Sequence, residues 1–168
     1  SYTSLNEEII SLTRDADTAD MQVCLGRLTL PNPIMVASGT FGYAREMEQI
    51  VDLSRLGGIV PKTITSQMRK GNIPWRTIET SSGLLNSIGL DNDGLDAFIE
   101  IIAVLVSVDA PVVVSIAGEN QADYVGIAKR LDACGGVAAL ELNISCPNVA
   151  HGVDFGSNPE LCEQVVRD

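Results

Sequence analysis

Short apolar runs alternate with amphipathic stretches along most of this chain. Ile34 to Ala37 is an apolar run closed by Ser38-Gly39-Thr40, and Gly58 to Lys62 is a second. Pro111 to Ala117 is a third, and Val137 to Asn143 a fourth. Their shortness and lack of polar alternation predict strands buried on both faces. Between them, apolar residues recur at helical spacing. Ile50, Leu53 and Leu56 share one face of 45–56, and Leu95 to Val106 is a second helix. Tyr124, Ile127, Ala128 and Leu131 share one face of 122–133, and Pro159 suits the first turn of a last helix. Ahead of this series, MQVCLGRLTL predicts a hairpin around Gly26-Arg27, ended by Pro31 and Pro33. Residues 1–20 form a polar N-terminal extension, in which Leu5, Ile9 and Leu12 have the spacing of a short helix. Residues 65–92, rich in Gly, Ser, Thr and Asn, predict a long loop.

Strands alternating with helices predict an α/β protein with a parallel sheet. Polar, Gly-rich residues follow every strand, which favours a (β/α)8 barrel, since a barrel collects its site from many strand ends. A doubly wound sheet would concentrate ligand groups at one switch point, and no G-x-G-x-x-G follows the first strand. About four βα units are present in 21–168, where a barrel needs eight. The chain is therefore expected to supply the first half of a barrel domain, or a half that pairs with another.

Composition changes this picture little. Apolar residues make up 45% of the 168 residues and charged residues 20%, ordinary for a globular domain. Eleven Lys and Arg against 22 Asp and Glu give a net charge of -11, which argues against a nucleic-acid partner. Cys24, Cys134, Cys146 and Cys162 include no C-x-x-C pair, and no H-x-x-x-H spacing suggests a metal. Reduced cysteines and the absence of a signal-like start predict a cytoplasmic protein. The most apolar stretch, Phe98 to Gly118, is interrupted by Glu100, Asp109 and Pro111, so no membrane span is expected.

Candidate chemistry gathers at the strand ends. Asn143-Ile144-Ser145-Cys146-Pro147-Asn148 sets two amides and a thiol in one turn. A positioned thiol serves as a base or nucleophile; a plain Pro-Asn turn accounts for the same residues. Lys62 ends an apolar strand, either extended to solvent or holding an anionic group as a point charge. Asn86-Ser87-Ile88-Gly89-Leu90 lies in the long loop, where glycines let backbone N–H groups approach a ligand. Ala37-Ser38-Gly39-Thr40 offers hydroxyls and backbone to a cofactor. His151, the lone histidine, sits in a Gly-containing loop where a solvated role suits it.

Four ordered segments together resemble the dihydroorotate dehydrogenase family: NPIMVASGTFGYA, GGIVPKTIT, GNIPWRTIETSSGLLNSIGLDN, and LELNISCPNV with its trailing HGVDFG. The resemblance runs from about Met21 to the end of the chain. It implies a (β/α)8 barrel carrying FMN that oxidises dihydroorotate to orotate in pyrimidine synthesis. Cys146 matches the base that takes the C5 proton while the C6 hydride passes to flavin N5. Lys62 matches a lysine between flavin and substrate carboxylate. Asn86, Ser87, Ile88, Gly89 and Leu90 match an orotate-binding segment. Asn143 matches an amide touching substrate and FMN, and Asn148 another substrate amide. Ala37, Ser38, Gly39 and Thr63 match flavin contacts, and Ser115 stands where many members carry an Asn near the flavin. The cysteine base implies the soluble class. The wording of the motifs is most similar to the NAD-linked type, whose partner subunit carries FAD and a 2Fe-2S cluster, in a homodimer or heterotetramer. The family's later lysine, second asparagine loop and phosphate site fall outside these 168 residues. A dihydropyrimidine dehydrogenase-like flavin domain and a non-catalytic half-barrel are the competing readings.

Overall fold

The computed structural model describes residues 19–146 and 154–168. The helix expected around Leu5 to Leu12 lies outside them, as do Pro147, Asn148 and His151. The described residues divide into two compact units, one ending at Pro33 and the other beginning at Ile34.

In the first unit, β1 (Val23–Leu25) and β2 (Leu28–Leu30) form the expected antiparallel hairpin, with Leu25 opposite Leu28. Gly26 turns it with φ 59°, the left-handed backbone that two-residue hairpins need.

The second unit is built on a four-stranded parallel sheet. Its strands are β3 (Met35–Val36), β4 (Gly58–Ile59), β7 (Val112–Ile116) and β8 (Val137–Leu142), adjacent in that order. The predicted strand 58–62 is only two residues long. Pro61 brings no N–H to the ladder, so regular pairing stops before it. Pairing resumes at Ile64, which bridges Ile116, whereas Ile59 pairs with Val112. Between those two points this strand spends one residue more than β7. The extra residue is a bulge that re-aims Lys62 and Thr63 at the strand end. β7 is buried at every position, as a central parallel strand should be. β8 is only partly buried, and among the described residues no strand pairs with its outer side.

α1 (Gly94–Leu105) buries Leu95, Phe98, Ile102 and Leu105, which share one helical face. α2 (Gln121–Asp132) buries Tyr124, Ile127 and Leu131. Asn120 caps α2 by accepting from the Asp123 N–H, and Asp123 accepts in turn from the Glu119 N–H. A single turn, α3 (Asp154–Ser157), precedes α4 (Pro159–Arg167), where Asn158 is the cap and Pro159 opens the helix as expected. Ile59, Val114 and Ile116 from the sheet pack with Phe98, Leu105, Ile127 and Leu131 into one core.

Two expectations fail here. The predicted helix 45–56 is instead two 3-10 turns, Arg45–Met47 and Leu53–Arg55. Asp52 takes an extended conformation and accepts from both the N–H and the hydroxyl of Ser54, a local alternative to continuing a helix. Leu53 and Leu56 are still buried, but Ile50 is 75% exposed. The predicted loop 65–92 contains a second hairpin, β5 (Thr77–Thr80) and β6 (Gly83–Asn86), with every position exposed. The rest of that segment is fastened. Arg69 and Asn92 exchange backbone hydrogen bonds of 2.8 and 2.9 Å, and Arg76 pairs with Asp91 at 2.6 Å.

Candidate active site

A parallel sheet presents all its carboxyl ends on one side, where ligands of such sheets bind. Each of the four strands sends one polar side chain into a continuous ladder there. Ser38, beyond β3, shares a hydrogen bond with Thr63, beyond β4, at 2.8 Å between hydroxyl oxygens. Thr63 shares another with Ser115 of β7 at 2.9 Å. Asn143, the residue after β8, donates from Nδ2 to the Thr63 hydroxyl at 3.2 Å. Thr63 is 5% exposed and Ser115 not at all, so the ladder is a buried polar floor whose hydroxyls satisfy one another.

Beside the floor lies a cavity of about 360 Å³, lined by Thr65, Arg69, Leu90, Tyr124, Asn143 and Cys146 among others. This is at the small end of the volumes typical of ligand sites. Of the residues singled out in the sequence, Cys146, Asn143 and Leu90 line it together. Cys146 is half-buried. The backbone leading to it is held at two points: the Tyr124 hydroxyl donates to the Asn143 carbonyl at 2.8 Å, and the Gly156 N–H to the Ile144 carbonyl at 2.9 Å. A Cβ on Gly156 would stand 2.6 Å from that Ile144 oxygen, so α3 can approach only through a glycine.

Tyr124 escaped the sequence reading, which placed it on the core face of its helix without assigning it a role. Its ring packs edge-on against Phe155, with centroids 5.4 Å apart. Burial pushes its hydroxyl above the usual value, the Gly118 backbone hydrogen bond opposes this, and the nearby Asp123 carboxylate adds to the rise. The phenol therefore stays a protonated donor. Arg69, also missed, pairs with Glu119 at 3.1 Å and links the long loop to the β7–α2 connection at the cavity rim. Asn92 was a third omission. Its buried amide accepts from the N–H groups of Thr65 and Gly94 and donates to the Leu90 carbonyl at 2.7 Å. It fixes Leu90 in a left-handed conformation with φ 56° at the cavity wall. In the sequence Tyr124 reads as core and Arg69 and Asn92 as polar loop, so no local signal marks them.

The other candidates among the described residues do not line the cavity. Lys62 is half-buried, and its N–H bonds the Gly42 carbonyl at 2.8 Å. Among the described residues no carboxylate forms an ion pair with it. Ala37 accepts from the backbone and hydroxyl of Thr40 across a tight turn, with Gly39 at φ 81°. Asn86 ends β6 opposite Thr77. The Asn72 amide donates to the Ser87 hydroxyl and carbonyl, and its N–H to the Ile88 carbonyl. Gly89 is buried at φ 77°, with Asn72 where a Cβ would go. Among the described residues no three His, Cys, Asp or Glu side chains are grouped to hold a metal ion, and no helix is long and apolar enough to cross a membrane.

The fold and floor define an α/β protein with a polar floor and a cavity at the carboxyl ends of a parallel sheet. Residues 20–168 match the family described as dihydroorotate dehydrogenase, and the chain belongs to that family. Among curated relatives, the chain is 48% identical over 147 residues to the dihydroorotate dehydrogenase B (NAD(+)) catalytic subunit of Desulforudis audaxviator, covering 86% of this chain and 48% of the relative. It is 49% identical over 143 residues to the protein of the same name from Thermoanaerobacter sp. (84% and 47% covered). To the Geobacter sulfurreducens protein of that name it is 44% identical over 150 residues (88% and 49% covered). The chain thus spans about half the length of the curated relatives it matches.

Proposed function

We propose that the chain is the first half of the catalytic (β/α)8 barrel of an FMN-dependent dihydroorotate dehydrogenase acting in pyrimidine synthesis. The observation that carries this is that Cys146 and Asn143 line one cavity, with Asn143 bonded into the four-strand polar floor beside it. A cyclic amide carrying a carboxylate needs amide partners and one cation; Asn143 offers an amide, and this reading assigns the cation to Lys62.

In this reading the Cys146 thiolate takes the proton from C5 of dihydroorotate. Asn143, Asn148 and the segment Asn86 to Leu90 meet the ring's N–H and C=O groups, and Lys62 neutralises the carboxylate. The floor also fits a flavin. Ala37, Ser38, Gly39, Lys62 and Asn143 present hydroxyl, amide, ammonium and backbone groups suited to the polar edge of its ring, with Thr63 and Ser115 beneath. FMN, when bound, supplies the two-electron acceptor. The relatives are named as catalytic subunits, which supports a further subunit; the same reading gives that partner FAD and a 2Fe-2S cluster and sets the protein in a cytoplasmic homodimer or heterotetramer.

The test is anaerobic mixing of the full-length flavoprotein with dihydroorotate and, separately, dihydrouracil. Bleaching of the flavin by dihydroorotate alone is expected. Bleaching by dihydrouracil instead would reassign the protein to dihydropyrimidine chemistry. A full-length protein that binds no flavin would end the enzymatic reading.

A further inference from the structure

We infer that Thr63 acts through Asn143: its hydroxyl is a positioning group that anchors the Asn143 amide, and it does not itself bond the ligand. The inference rests on the dehydrogenase reading for the identity of the ligand, but its physical argument is a count of hydrogen-bonding capacity.

A hydroxyl has one proton and two lone pairs, and so three hydrogen bonds. The Thr63 hydroxyl has three protein partners: Ser38 at 2.8 Å, Ser115 at 2.9 Å and Asn143 at 3.2 Å. The Asn143 Nδ2 donates and occupies one lone pair. Of the two hydroxyl neighbours, one accepts the Thr63 proton and the other donates to the second lone pair. Nothing remains for a bound molecule. Ser115, which the family resemblance sets against the flavin, has no exposed surface and lies on the buried side of this chain of hydroxyls. Ser38 is half-buried and keeps spare capacity. The two buried hydroxyls thus form the base of the floor, and Ser38 and Asn143 are its working ends.

The consequence falls on Asn143. Its backbone is pinned from the other side, because its N–H donates to the Ile116 carbonyl at 2.9 Å and its carbonyl accepts from Tyr124. With the amide nitrogen held by Thr63, the side chain presents its Oδ1 as an acceptor, and Oδ1 has no protein partner among the described residues. The site is therefore set to read an N–H of a cyclic amide at this position. Losing the Thr63 hydroxyl would free the amide to rotate and blur that choice.

The experiment uses the full-length flavoprotein and orotate, with binding read from the perturbation of the flavin spectrum. Read on the flavin-loaded protein, Thr63→Val is expected to weaken orotate by about tenfold, whereas Thr63→Ser, which restores the hydroxyl, stays within about twofold. In an Asn143→Ala background, Thr63→Val should add nothing, the non-additivity expected of a residue that works through another. Full additivity, or a loss in Thr63→Ser equal to that in Thr63→Val, would overturn the proposal. If Thr63→Val fails to fold, Thr63→Cys keeps the packing with a poor hydrogen-bonding group and is expected to weaken orotate likewise. Independently of any ligand, the Asn143 side-chain amide protons should be protected from solvent exchange in the parent protein and exposed in the variant. Unchanged protection would also overturn it. A parent protein whose flavin ignores orotate would instead refute the dehydrogenase reading, leaving the exchange measurement to judge Thr63.

Discussion

Cys146 and Lys62 stand out in the sequence as candidates because each breaks the chemistry of its surroundings: a thiol in a turn after a buried strand, and a cation closing an apolar run. Tyr124 and Asn92 do not. A tyrosine on a helix's apolar face reads as core, and an asparagine in a polar loop reads as loop, until tertiary partners give each a task. Cys146→Ala is expected to leave flavin binding intact and to abolish flavin reduction by dihydroorotate at neutral pH, checked by stopped-flow absorbance. The thiol is the only proton acceptor proposed for that step. Tyr124 yields a pH prediction. Burial raises its ionisation above the ordinary 10.0, so in the alkaline range the unfolded chain releases this proton before the folded one does. Stability from this group is complete below the ordinary value and declines as pH rises through the raised one. Urea midpoints should therefore fall above about pH 10, and less steeply in Tyr124→Phe. Tyr43 is raised for the same first cause, burial, so a Tyr43→Phe control separates the two contributions.

At the scale of elements, the sequence was most legible where periodicity and caps agreed. α1, α2, α4, β7, β8 and the first hairpin stand where the pattern puts them. Asn120→Ala is expected to cost about 1 kcal/mol, because it strips the α2 cap that accepts from the Asp123 N–H, measurable as a shift in denaturant midpoint. Asn158→Ala in α4 should behave similarly. Legibility failed where short-range polar chemistry decides. Asp52-x-Ser54 interrupts a helix that apolar spacing alone supports. The β5–β6 hairpin buries nothing, so its sequence carries no alternation between covered and wet faces to announce it. Pro61 shortens β4 and leaves the bulge that delivers Thr63 to the floor; the apolar run is visible in the sequence, but the change of aim is not.

At the scale of the molecule, the parallel order and the polar strand ends were both legible, and their union into one hydrogen-bonded floor was not. Residues from positions 38 to 143 meet there only through the register of four strands. The sheet also leaves β8 without an outer partner among the described residues. Six residues of unpaired strand are a template for further pairing. The chain expressed by itself is expected to associate, with sedimentation showing species heavier than 17.9 kDa. Ala138→Lys, at an exposed position on that edge, should shift the distribution toward the monomer. The exposed hairpin has an optical counterpart. Trp75 is the one tryptophan of the chain and is 98% exposed, next to exposed Ile73 and Ile78. An indole in water emits toward the red, and one covered by an apolar partner emits toward the blue. The protein therefore carries its own label on this surface, a single fluorophore whose colour reports whether a partner has settled over it.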